Sequence, residues 1–190
     1  MSKRLLLLCL MSVLFVLLVA PVTSAAAQPG TWWIDSAGLN YTYTHNIFTG
    51  IANLSVQKQT SPTGERSTLT IENLYCTGFS GDVSNPRAVK EDIAPITLTV
   101  PGDPDSFEVA RDLGWAGLDT TVYAYNRVTH RFERVEIHID WFATGLVTQH
   151  YGGYERPAHV IAEIIMPECT LQIQRENFIR STRRPRPYYG

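Results

Sequence analysis

Cysteine is scarce in this chain. Of three among 190 residues, Cys9 falls inside an N-terminal apolar run, which leaves only Cys76 and Cys169 and no spare thiol to act as a nucleophile. Helical spacing is also missing. After that first run no segment places apolar residues three and four apart over three turns, although "ARDLGWAGL" has room for one short turn. A second apolar run of membrane length and a fixed-period repeat are likewise absent. Among catalytic signatures there is no H-E-x-x-H and no phosphate-binding glycine loop, and "TGFSGD" lacks the glycine spacing of a nucleophile elbow. Any enzymatic reading therefore rests on side chains converging from separate strands.

The chain opens with Lys3 and Arg4, an apolar run from Leu5 to Ala20, Pro21, and the small residues of "TSAAAQ". That order predicts a secretory signal peptide over residues 1–27, removed by cleavage, and a secreted protein with no membrane span left afterwards. In an oxidising compartment Cys76 and Cys169 are expected to form one disulfide closing a loop of 94 residues. The mature part then has 163 residues, enough for one domain with its own core. Charge divides it. Gln28 to Gln174 carries 9 basic and 17 acidic residues, whereas the end of the chain gathers Arg175, Arg180, Arg183, Arg184 and Arg186 against Glu176 alone. With Pro185 and Pro187 opposing both helix and strand, the reading is a domain over 28–176 and a basic mobile tail over 177–190, able to contact anionic polymers or surfaces. No nucleic-acid partner is expected.

What the mature chain has in abundance is period two. "IANLSVQKQ", "RSTLTIENLYC", "DTTVYAYN", "ERVEIHIDWFA" and "CTLQIQR" alternate polar with apolar or aromatic residues, and "TSPTGE", "SGDVSNPR" and "YGGYERP" supply turns between such segments. An antiparallel β-sandwich of about eight or nine strands is predicted, with a closed β-barrel as the alternative. In "VEIHIDW" the alternation turns Val135, Ile137, Ile139 and Trp141 inward and Glu136, His138 and Asp140 outward. A half-exposed strand explains that row without a metal, and no cofactor is expected. A zinc site is the alternative, built on Glu136, His138 and Asp140 with a further ligand such as His150 or His159. Calcium is a second alternative in "GDPDSFE", through Asp103, Asp105 and Glu108. The hairpin partner strand is expected to set Tyr123 or Tyr125 near the polar row, and both are candidate ligand-binding rings. Tyr151 and Tyr154 flank a glycine pair and offer rings for an extracellular ligand.

"FEVARDLGWAGLDTTVYAYN", "VEIHIDWFATG" and "ERPAHVIAEI" resemble, in that order, a pattern found in uncharacterised secreted bacterial β-proteins. The matching positions are Asp112, Leu113, Ala116 and Leu118, then Trp141 and Gly145, then Arg156 and Ala158. The resemblance covers about half of the mature chain and implies an all-β secreted fold without an assigned activity. The functional expectation is accordingly a secreted, non-catalytic binding module for a glycan, a cell surface or a protein. A metal-dependent enzyme or metal carrier using His138, and a secreted inhibitor, are the alternatives.

Overall fold

The computed structural model describes residues 33–82, 84–100 and 106–186. The predicted signal segment and the aspartates Asp103 and Asp105 lie outside the described residues. Within them eleven strands follow one another: β1 (Trp33–His45), β2 (Phe48–Ser61), β3 (Gly64–Ser80), β4 (Arg87–Ile93), β5 (Ile96–Thr99), β6 (Phe107–Val109), β7 (Trp115–Asn126), β8 (Arg131–Ala143), β9 (Thr148–His150), β10 (Gly153–Ile165) and β11 (Thr170–Ser181). Among the described residues no helix is long and apolar enough to cross a membrane.

Eight of these strands close a ring in the order β11-β1-β2-β3-β4-β7-β8-β10, and β10 returns to β11. The predicted sandwich is thus corrected to its alternative, a closed antiparallel barrel. Pairing between the two ends of the chain makes the difference, since β11 bonds to β1 at Asp35–Ser181, Ser36–Arg180 and Ala37–Ile179, and to β10 from Tyr154–Ser181 to Ile165–Thr170. Such contacts leave no trace in local alternation, which looks the same in a sandwich and in a barrel. The seam is narrow where β4 meets β7. One register pair, Ile93–Asn126, is supported by Ala94 N–H donating to Tyr125 O at 2.9 Å and Arg127 N–H to Asp92 O at 2.7 Å. β5 lies on β3, β6 on β7, and β9 on β10.

Alternation fills the interior as the sequence predicts. Val135, Ile137, Ile139 and Trp141 are all buried, together with Leu39, Leu69, Ile71, Leu74 and Ile164 from other strands. Trp141 stacks edge-on against Phe107 and donates its indole N–H to Gly38 O, 2.8 Å away on β1, so its one polar atom is satisfied inside the barrel. Cys76 and Cys169 are bonded, joining β3 to the turn before β11 with their Cα atoms 6.4 Å apart.

The positions of the secreted-protein pattern come together at one end of the barrel. Leu113, Ala116, Leu118, Trp141 and Ala158 are buried, while Arg156 donates from Nε to Gly145 O at 2.8 Å and from Nη1 to Asp112 O at 3.2 Å. Arg156 therefore ties the turn before β7 to the loop after β8. The alternating segment "NYTYTHNIF" contains the β1–β2 reversal at Asn46, which adopts a left-handed φ of 50°. The "YGGY" segment is a tight β9–β10 turn whose Gly152 has φ 96°. The domain boundary drawn at residue 176 falls inside β11, which continues to Ser181.

Candidate functional site

The polar row that contains His138 occupies the outer face formed by β7, β8, β10 and β11. Strand register sets three rungs across it: Asp119–His138–Glu163–Gln172, Gly117–Asp140–Ile161–Gln174, and Trp115–Phe142–His159–Glu176. Apart from Gly117 and the exposed Ile161, these rungs are polar or aromatic for the same reason. Their residues occupy the outward phase of strands whose inward phase is already apolar.

Within this face His138 Nδ1 lies 3.1 Å from Asp119 Oδ1, and Nε2 lies 3.9 Å from Glu136 Oε2. Glu136 in turn accepts from Arg134 Nη1 at 2.6 Å. Trp115 leans over Gly117 and donates from Nε1 to Asp140 Oδ1 at 3.1 Å; a Cβ at position 117 would collide with the indole. The glycine thus has a use in the strand, since it lets a ring lie against the sheet. Two shallow depressions flank the shared residues His138 and Asp140. One, of about 580 Å³, runs toward Ile161, Glu163, Gln172 and Gln174, and the other, of about 210 Å³, runs toward Glu108, Trp115 and Asp119. Together they make an open groove of carboxylates, amides, an imidazole and an indole.

The other predicted site residues are dispersed. Tyr123 pairs in register with Arg134 and is 66% exposed, extending the row as expected, while Tyr125 turns to Phe132 and places its hydroxyl 3.3 Å from His130 Nδ1. His150 Nδ1 sits 2.9 Å from Tyr151 O, with Nε2 4.0 Å from Glu155, whereas His159 Nδ1 sits 3.0 Å from Glu176. His138, His150 and His159 thus each face a different carboxylate. Among the described residues no group of three or more His, Cys, Asp or Glu side chains is arranged to hold a metal ion. Glu108 is exposed on β6. Tyr151 stands free at the β9–β10 turn, and Tyr154 is half-buried beside the C-terminal residues.

Two buried acids escaped the sequence reading. Glu91, fully buried on β4, accepts a hydrogen bond from Asn126 Nδ2 and another from Glu168 N–H at 2.8 Å. Asn126 also donates to Glu133 Oε2 at 2.7 Å, so one amide bridges two carboxylates at the barrel seam. Burial pushes the Glu91 carboxyl above its ordinary 4.5, and the nearby Glu133 charge adds to the rise. The Glu168 N–H and the Asn126 amide oppose it. Asp35, buried on β1, accepts from Ser181 Oγ at 2.5 Å and from Arg183 Nη2 at 2.8 Å. The missed signal was phase: Glu91 follows Val89 and precedes Ile93, and Asp35 precedes Ala37 and Leu39, all on inward positions.

No protein-family model, no curated protein and no solved structure matches the chain.

Proposed function

We propose that this protein is an extracytoplasmic, non-catalytic binding module whose outer groove on β7, β8, β10 and β11 takes a neutral, polyhydroxylated ligand of glycan chemistry. The observation that carries the reading is Trp115, held against Gly117 by Asp140 at the margin of a groove whose opposite side presents Gln172 and Gln174. An indole offers a flat apolar surface for the C–H face of a sugar ring. Carboxylates accept from hydroxyls, and side-chain amides both donate and accept. A barrel packed with apolar side chains directs such a ligand to the outside. The N-terminal signal pattern and the disulfide support the compartment.

Affinity electrophoresis through gels containing soluble polysaccharides tests this reading. Retardation on at least one polysaccharide is expected, with Trp115→Ala and Gln172→Ala each weakening it about tenfold, a loss of roughly 1.4 kcal/mol. Migration unaffected by every polysaccharide tried, or retardation indifferent to both variants, would defeat it.

The competing metal reading draws on the His138 imidazole lying between Asp119 and Glu136. Titration with Zn²⁺ at neutral pH separates the two. One-to-one binding lost in His138→Ala would favour a metal centre over the glycan groove. An inhibitor reading would want a loop projecting beside the disulfide, but the turn there is a tight one, with Met166 and Cys169 exchanging backbone hydrogen bonds and Met166 buried.

A further inference from the structure

The five arginines near the C-terminus are not equivalent. Arg175 reaches Thr42 O at 3.2 Å and lies over the Tyr41 ring, Arg180 pairs with Glu155 at 3.2 Å, and Arg183 pairs with the buried Asp35 while lying over Trp33. These three belong to the barrel wall. Arg184 and Arg186 come after the wall strand ends, and among the described residues no carboxylate pairs with either. Both line a cleft of about 540 Å³ between the C-terminal residues and the loop after β8. Arg186 is fixed there by its own backbone, whose N–H donates to Arg111 O at 3.0 Å.

The rest of the cleft is mostly apolar. Leu146, which is 84% exposed, and Val147 form one side, with Tyr154 and Pro185 beside them. The remaining charged pair nearly cancels: Arg156 Nη1 lies 3.8 Å from Asp112 Oδ2, and Asp112 Oδ1 also accepts from Gly114 N–H at 2.9 Å. Among the described residues the cleft therefore presents two cations without a carboxylate partner above an apolar floor.

We infer that this cleft binds an amphiphilic anion, a molecule with one carboxylate or phosphate head group and a short apolar body. A guanidinium matches the planar oxygens of either head group, and leucine, valine, proline and a tyrosine ring match the apolar body. The volume lies in the roughly 300–1,000 Å³ range of small-molecule sites. The site is separate from the groove around His138 and does not rest on the glycan reading.

The test is isothermal titration of the full mature protein with decanoate, octyl phosphate, inorganic phosphate and octyl glucoside. One-to-one binding of decanoate or octyl phosphate is expected, and the stronger of the two identifies the head group. Arg184→Ala combined with Arg186→Ala, and separately Leu146→Asp, should each weaken that binding at least about tenfold. Trp115→Ala should leave it unchanged, which keeps this test apart from that of the groove. All three changed positions at the cleft lie on exposed residues, and thermal melting checks that the variants are folded. Absence of binding by both amphiphiles would overturn the inference, as would equal affinity for inorganic phosphate or for octyl glucoside, or binding that survives the double variant.

Discussion

Trp141 shows how much one side chain does in this barrel. It fills interior space next to Phe107 and donates to Gly38 O across the barrel, so Trp141→Ala removes a large core volume together with that hydrogen bond. The expected loss is about 3 to 5 kcal/mol, measured by urea unfolding. Glu91 gives the opposite case of an inward residue that is costly when charged. Below about pH 4.5 it is protonated in both folded and unfolded chains. As pH rises the unfolded chain ionises first and binds fewer protons, so stability falls through the window up to the raised folded value. Melting temperature measured from pH 4 upward should show this decline in the native protein, and Glu91→Gln should flatten it. The inward position of Trp141 was legible because its neighbours two residues away are apolar. That of Glu91 was not, because an isolated acid in apolar phase needs its partner from β7 to make sense, and that partner is 35 residues away.

At the scale of elements, β11 and the residues after it decide how the barrel closes. Phe178, Ile179, Arg180 and Ser181 pair with β10, and Arg183 then reaches back to Asp35 on β1. Arg183→Ala leaves the Asp35 carboxylate buried with Ser181 Oγ alone, and the expected cost is about 2 to 3 kcal/mol in chemical unfolding. Arg184→Ala, one residue further on and exposed, should stay within about 0.5 kcal/mol. The contrast between neighbouring arginines tests whether the strand phase persists past Ser181. Sequence reading treated residues 177–190 as tail because Pro185 and Pro187 oppose regular structure. The prolines come late enough that β11 is complete before they act.

For the whole molecule, the disulfide ties β3 to the turn between β10 and β11 across a sequence separation of 93. A loop that long restricts the unfolded chain strongly, so replacing both cysteines with alanine should lower stability by roughly 4 to 5 kcal/mol on the chain-entropy account. Comparing urea midpoints of the native protein and the double variant measures it. A loss under about 1 kcal/mol would mean that the unfolded chain is already compact there. Because β4 and β7 share a single register pair, the seam beside this disulfide is where the ring has least backbone pairing.

The sequence alone determined that the protein is built of antiparallel strands, which face of β8 lies inward, and that Cys76 and Cys169 are the two thiols outside the N-terminal apolar run. Alternation and composition are local properties, and each of these follows from them. Only the tertiary structure decided that the sheet closes into a barrel, that Trp115 covers Gly117 beside His138, and that Arg184 and Arg186 share a cleft with Leu146 while Arg183 is drawn into the wall. Those arrangements depend on which strands become neighbours after folding. Period two tells a residue which face it occupies and carries no information about what lies beside it.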